Sequence, residues 1–191
     1  MRDLTYYVAV SLDGRIAAPD GGFDAFPVTG DHIDMILRDW KDTLSAPGLE
    51  AFGLTADGAT FDAVVMGWLT YEAGLPYGAI DPYPHLEQVV FSRGHGQDEV
   101  PENVRIVSDD PVAEVQRLKK EDGVGIWLCG GGRLAGALVG EIDRMVLKVN
   151  PVVLGDGVPL FVGGYDPSAF ELVESTPYAS GVVVNEYVRR R

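Results

Sequence analysis

The sequence predicts an α/β domain built on a mixed sheet. Two patterns carry the prediction. From Leu4 to Val139, short runs of β-branched and aromatic residues alternate with helical periodicities, the order that lays parallel strands under covering helices. Beyond Arg144 the strands follow one another without helices, and the last two read as an antiparallel hairpin. A third observation concerns chemistry: three of the early strands run into glycines, hydroxyls or arginines at their ends.

The 191 residues suit one domain spanning 1–191, with no internal repeat and no linker of shifted composition. Apolar residues make up 46% and charged residues 23%, the balance of a folded chain rather than a disordered one. Lys and Arg number 15 against 29 Asp and Glu, a net charge of −14. That argues against nucleic acid as a partner, because phosphate backbones call for a basic field. A phosphate-bearing cofactor needs only a local cluster of donors. Cys129 is the single cysteine, so neither an internal disulfide nor a cysteine-rich zinc site can form. Met1-Arg2-Asp3-Leu4 carries an acid where a signal peptide is basic, and no apolar run approaches about 18 residues. The expectation is a cytoplasmic protein without a membrane partner.

The elements follow in order. Leu4 to Val10 reads as a buried strand, Ile16 to Ala18 resumes it, and Pro19-Asp20-Gly21-Gly22 makes a loop. Thr29 to Asp42 reads as a helix with an apolar stripe of Ile33, Ile36, Leu37 and Trp40, capped by Thr29 or Asp31. Leu49 to Thr60 is irregular or a short helix. Phe61 to Gly67 is a strand, Leu69 to Ala73 a short helix and Gly74 to Pro84 a loop. Leu86 to Ser92 and Val104 to Val107 are strands. Asp109 or Asp110 caps a helix with Pro111 at its start, facing Val112, Val115 and Leu118 inward. Val124 to Cys129 is a strand, and a helix from Arg133 to Val139 buries Leu134, Ala137 and Leu138. Arg144 to Val149 is a strand that Pro151 to Leu154 continues or restarts. Phe170 to Ser175 and Gly181 to Val188 form the hairpin, and Arg189-Arg190-Arg191 is a short basic tail.

Three strand ends carry chemistry. After Cys129, Gly130-Gly131-Gly132-Arg133 opens a helix; a backbone without side chains can approach a diphosphate closely, helix-start N–H groups face it, and Arg133 adds charge. The spacing is neither the G-x-G-x-x-G fingerprint of a first βα turn nor a P-loop. Met66-Gly67-Trp68-Leu69-Thr70 is the second such end, with Thr70 as a cap or a phosphate donor. Ser92-Arg93-Gly94 is the third. In open α/β sheets such ends converge on one crevice. His32, His85 and His95 lack metal-ligand spacing, so no metal is expected.

These blocks, in order, give a resemblance over nearly the whole chain. Val10-Ser11-Leu12-Asp13-Gly14-Arg15-Ile16-Ala17, Met66-Gly67-x-x-Thr70-Tyr71-Glu72, Gly130-Gly131-Gly132-Arg133 and Asn150-Pro151-Val152-Val153-Leu154-Gly155-Asp156-Gly157 resemble the dihydrofolate reductase-like superfamily. They are most similar to the C-terminal reductase domain of the bifunctional riboflavin-biosynthesis deaminase/reductase. The resemblance implies a three-layer α/β/α fold around a mixed eight-stranded sheet, with NADPH across the strand ends, and makes a homodimer an expectation. By position it implies Ala9 and Ile16 beside the nicotinamide. Thr70 and Gly130, Gly131 and Gly132 meet the diphosphate. Ser92, Arg93 and Arg133 surround the adenosine ribose and its 2′-phosphate. Reductases of this kind commonly carry Arg after the glycine matching Gly67; here Trp68 stands there. NADH or a flavin stays open as the alternative cofactor.

The resemblance places an acid on the first helix at the substrate, where this sequence offers Asp34 and Asp39. Asp13, in the loop over the nicotinamide, is a further catalytic candidate, and Arg15 and Arg38 are candidate substrate cations. The zinc-deaminase pattern of the bifunctional enzyme is absent from the sequence. The expected activity is hydride transfer from NADPH to a small nitrogen heterocycle or a ribosylamino-pyrimidine-like substrate. The alternatives are a reductase using flavin or NADH on another substrate and a non-catalytic ligand-binding protein.

Overall fold

A computed structural model describes residues 1–190; Arg191, the last residue of the basic tail, lies outside the described residues. Ten strands and five α-helices follow in the order β1 (Asp3–Ser11), β2 (Arg15–Ala17), α1 (Asp31–Asp39), α2 (Ala46–Phe52), β3 (Ala63–Gly67), α3 (Trp68–Glu72), β4 (Glu87–Phe91), β5 (Val104–Val107), α4 (Pro111–Lys120), β6 (Gly125–Leu128), α5 (Gly132–Ala137), β7 (Arg144–Asn150), β8 (Val158–Pro159), β9 (Phe170–Pro177) and β10 (Val183–Arg189). Eight strands form one mixed sheet in the order β5-β4-β3-β6-β1-β7-β10-β9, and β2 pairs with β8 apart from it. The first six of those eight run parallel. β10 runs antiparallel to both β7 and β9, which is the expected C-terminal hairpin.

Alternation along β1 builds two cores. Leu4, Tyr6 and Val8 face one side and meet Val115 and Leu118 of α4 and Leu134, Ala135 and Leu138 of α5 and its end. Tyr7 faces the other side with Val64, Met66, Trp127 and Val146, under Met35 of α1 and Tyr71 of α3. The result is the three-layer α/β/α architecture that the resemblance implies.

Several local expectations change. The first helix stops at Asp39, and its N-cap is Gly30 rather than Thr29 or Asp31, with no side-chain cap bond. The Asp31 carboxylate instead accepts from the Ala179 and Ser180 N–H groups at 2.7 and 3.0 Å. The buried positions of this helix are His32 and Met35, not the predicted stripe. His32 tolerates burial because its ring nitrogens reach the Ser180 hydroxyl and the Pro27 carbonyl. Trp40 leaves the helix and stacks on Tyr7, centroids 4.6 Å apart. Leu134 and Leu138 are buried as expected, but Ala135 takes the third buried place, while Ala137 is exposed. Pro151 to Leu154 is not a strand; it folds over the loop after β1, where Leu12 N–H donates to the Val152 carbonyl at 2.8 Å. Asp110 does cap α4, accepting from the Val112 N–H at 2.9 Å.

Two contacts without a sequence signal hold the connections. The Asp42 carboxylate is buried and accepts four backbone N–H groups, from Asp57, Gly58, Thr60 and Phe61, at 2.9–3.3 Å. It gathers the approach to β3. The second contact is the seat of α5. A Cβ on Gly132 would lie 2.1 Å from the Pro159 carbonyl oxygen, and one on Gly136 1.9 Å from that of Val162. Both glycines are fixed by backbone packed against backbone.

Gly136→Ala raises helix propensity yet forces this contact apart, so it lowers unfolding stability by about 2 kcal/mol or more, read from the urea midpoint. Asp42→Asn turns an amide donor toward N–H groups and lowers stability by about 2–3 kcal/mol in the same assay.

Candidate active site at the strand ends

The parallel strands β4, β3, β6 and β1 are consecutive in the sheet, so their C-terminal ends stand side by side. Ser92 and Arg93 follow β4, Gly67 ends β3 with Trp68 and Thr70 in α3 directly after it, Gly130 to Arg133 follow β6, and Ala9, Asp13 and Ile16 lie in or after β1. The topology therefore places these residues at the ends of neighbouring strands.

Gly130 and Gly131 take φ of 65° and 81°, left-handed conformations that favour glycine. Cβ atoms there would sit 3.5–3.6 Å from the Thr70 side chain. Thr70 thus forms one wall of the glycine turn. Among the described residues, the Gly130 and Gly131 N–H groups donate to no protein acceptor. Gly132 is different: it is buried, and Pro159 alone accounts for its lack of a side chain. At Gly67 a Cβ would meet nothing within 4 Å, so protein packing does not demand glycine there.

Trp68 lies flat on His95, centroids 3.6 Å apart and planes 5° from parallel. His95 Nδ1 in turn lies 2.9 Å from Glu99 Oε2. The Trp68 indole N–H is buried without a hydrogen-bond partner among the described residues. Ser92 Oγ accepts from the Gly94 and His95 N–H groups, holding this turn. Arg93 and Arg133 are exposed, and neither pairs with a carboxylate among the described residues. In a chain with net charge −14, these two arginines stand without a carboxylate partner among the described residues, after the ends of β4 and β6 on either side of β3.

Of the acids, Asp13 is committed. Its carboxylate accepts from Ser11 Oγ at 2.6 Å and from the Leu154 and Gly155 N–H groups at 3.0 and 2.8 Å. Those hydrogen bonds, Ser11's first, hold its pKa down to about 2, so at neutral pH it is a carboxylate that accepts hydrogen bonds and has no proton to donate. Asp34 lies exposed on α1, away from the buried His32 and Met35. Asp39 is occupied by a two-pronged pair with Arg38, both contacts 2.7 Å. Arg15 reaches the Gly157 carbonyl at 3.5 Å, and its Nε is buried without a partner among the described residues.

The crevice floor holds a residue the sequence reading passed over. Ala9 is the one partly exposed position between Leu4 and Ser11 of β1, and its register partner on β7 is Lys148. Lys148 Nζ lies 3.7 Å from the Tyr7 ring centre. Burial lowers its pKa to about 7. Next to it, burial pushes the Cys129 thiol up to about 12, and Cys129 Sγ lies 3.9 Å from the Tyr83 hydroxyl. The Tyr7 hydroxyl is buried and unpartnered among the described residues. A lone lysine inside the apolar run Met145 to Val149 was the available signal. Surface hollows of ≈ 300 Å³ around Asp143 and Arg144 and ≈ 450 Å³ around Arg105 and Asp110 lie elsewhere; their arginines pair with Glu186 and Glu114. Among the described residues no three His, Cys, Asp or Glu side chains converge to hold a metal, and no helix is long and apolar enough to cross a membrane.

A mixed sheet of this order, with one antiparallel strand next to its edge, is the dihydrofolate reductase-like fold. Residues 2–184 match the RibD C-terminal domain family, and the chain belongs to that family. The uncharacterized protein YwjB of Bacillus subtilis (strain 168) is 34% identical over 162 residues, 84% of this chain and 83% of that one. Among solved structures, the diaminohydroxyphosphoribosylaminopyrimidine deaminase/5-amino-6-(5-phosphoribosylamino)uracil reductase of Thermotoga maritima superposes with a TM-score of 0.67 at 15% identity, over 99% of this chain and 57% of that one. Dihydrofolate reductase from Enterococcus faecalis, complexed with NADP(H), gives 0.68 at 15% identity over 99% and 97%. At those identities the structures share the fold.

Lys148 makes stability depend on pH in a defined sense. With its pKa near 7 when folded and an ordinary value of 10.5 when unfolded, the unfolded chain binds the extra proton between those limits. Stability therefore rises from pH 7 to pH 9, below the range where the Cys129 thiol opposes it. The urea midpoint should rise across that interval, and Lys148→Met should flatten the slope.

Proposed function

We propose that the protein is an NADPH-dependent oxidoreductase that reduces a small nitrogen heterocycle or a ribosylamino-pyrimidine-like substrate. One observation carries the reading: unpaired Gly130 and Gly131 N–H groups, the Thr70 wall and the unpaired Arg93 and Arg133 converge on consecutive strand ends. A dinucleotide's phosphates are the ligand such a set suits, since backbone N–H groups and arginine forks both bind phosphate oxygens. Membership of the RibD C-terminal domain family, and the fold shared with a reductase and with an NADP(H) complex, support the same reading.

The residues fit the cofactor in outline. Gly130, Gly131 and Thr70 hold its diphosphate, and the open space at Gly67 lets the chain pass close. Ser92, Arg93 and Arg133 take the adenosine ribose and its 2′-phosphate. Trp68 and His95 replace the usual arginine with a flat aromatic wall, so the phosphate charge falls to the two free arginines. Ala9 and Ile16 border the nicotinamide, which supplies a hydride when bound. Asp13 acts as a positioning residue. Its ionised carboxylate ties the loop before Ile16 to Leu154 and Gly155, holding the crevice wall in place. Asp34, with no internal partner among the described residues, is the first-helix acid that can meet a substrate.

Titration with NADPH and NADH, followed by nicotinamide fluorescence, tests the reading. Saturation with NADPH in the micromolar range and weaker NADH binding is the expected result. Arg133→Ala should raise the NADPH Kd about tenfold, roughly 1.4 kcal/mol, and change NADH binding less. Failure of both nucleotides to bind at hundreds of micromolar overturns the proposal.

A further inference from the structure

Lys148 is a cation that pairs with no carboxylate among the described residues. Lys119 shows the ordinary solution: it lies 2.6 Å from Asp143 and donates to the Glu141 carbonyl. Lys41 likewise sits 2.7 Å from Asp57. Lys148 Nζ has only the face of the Tyr7 ring, at 3.7 Å. A half-buried ammonium held by a ring face alone is costly unless something else uses it.

Its surroundings define what it can do. From β1 it faces Tyr7, from the end of β6 Cys129 with Tyr83 behind it, and from β10 its register partner Val184. Two carboxylates on the flanking elements are taken: Asp39 of α1 pairs with Arg38, and Glu186 of β10 with Arg144. Tyr178, before β10, is the remaining titratable neighbour of Tyr7, and its phenol is raised above the usual value by burial. Cys129, Tyr7 and Tyr83 are likewise pushed up by burial, so all three stay neutral near pH 7. Lys148 is the group here that changes charge at that pH.

Its backbone lies beside Ala9, near the C-terminal end of β1. Tyr7 and Ala9 share a face of β1, and the contact with the Tyr7 ring puts the Lys148 side chain on that face. Ala9 is the opening in an otherwise buried stretch, and neighbouring strands lie only about 4.8 Å apart. Whatever occupies the space over Ala9 meets Lys148.

We infer that Lys148 is the proton donor of the reduction proposed above, touching the substrate beside the nicotinamide and protonating it as the hydride arrives. The inference rests on that reading of the crevice. For a C=N substrate, the carbon gains the hydride while NADPH becomes NADP⁺. The nitrogen forms its new N–H bond with the proton released by the Lys148 ammonium. The broken N–H bond leaves its electron pair on the amine, which regains a proton from water. The ring that has lost its hydride is positive, and a like charge beside the ammonium favours proton release. Proton and hydride therefore leave the same end of the crevice together.

The same coupling can be read without any substrate. NADP⁺ and NADPH share the 2′-phosphate and diphosphate and differ in the charge of the nicotinamide. Calorimetric titration of the wild-type protein with each, at pH 7 in two buffers of different ionisation enthalpy, counts the protons released. Lys148 is about half protonated there, so NADP⁺ should release up to roughly half a proton more than NADPH. Lys148→Met and Lys148→Arg, checked for folding by thermal melting, should both abolish the difference, since neither side chain can give up a proton near pH 7. A lysine with a merely structural role would lower the melting temperature and leave wild-type proton release equal for the two nucleotides. Equal release overturns the role of Lys148 and leaves the cofactor reading standing. Failure of either nucleotide to bind overturns both.

Discussion

Strand β1 is buried toward α4 and α5 through Leu4, Tyr6 and Val8 and toward α1 and α3 through Tyr7. A strand covered on both faces can be joined to parallel neighbours only by crossovers, and those crossovers are the helices that do the covering. From this follows the common direction of β4, β3, β6, β1 and β7, and from the common direction follows a shared row of C-terminal ends. The residues of the crevice are far apart in the chain, from Ala9 to Lys148, and become neighbours because the hydrophobic layers admit no other arrangement of their strands.

The electrostatics work by local exception. Five arginines pair with acids among the described residues, as where Arg2 is buried against Asp62 and Glu121, or where Arg105 and Arg117 share Glu114. Arg93 and Arg133 escape this pairing at the rim, and Lys148 escapes it at the floor. In a strongly acidic protein the surrounding field repels anions at long range, so recognition of a phosphate has to be made by close, directional donors. The Gly130 and Gly131 N–H groups and the Arg93 and Arg133 guanidinium groups are donors of that kind, and screening by salt would soften the long-range repulsion more than close contacts.

The strands were legible because their signal is composition over a few residues: Leu4 to Val10 and Val124 to Cys129 fall within one or two residues of β1 and β6. The first helix was less legible. A stripe drawn through Ile33, Ile36, Leu37 and Trp40 treats histidine as an outsider, whereas His32 is buried by two partners supplied by distant loops. Asp42 shows the same limit, since its four N–H donors lie 15 to 19 residues away. At the crevice, motif spacing identified the glycine turn but could not separate Gly130 and Gly131, which lack internal partners, from Gly132, which Pro159 requires. Lys148 was missed because its importance lies in what is absent around it, and absence of a counter-charge is a property of packing.

The segment 154–162 touches both halves of the crevice. Leu154 and Gly155 are tied to Asp13, Val158 and Pro159 pair with β2 on either side of Ile16, and Leu160 N–H donates to the Gly14 carbonyl. Val162 N–H then donates to the Gly132 carbonyl, and the Val162 carbonyl closes on Gly136. Apart from the two residues of β8, this stretch belongs to neither helix nor sheet, yet it acts as a strut between the loop bordering Ile16 and the turn at Gly130. Insertions and deletions there would be transmitted to both ends at once.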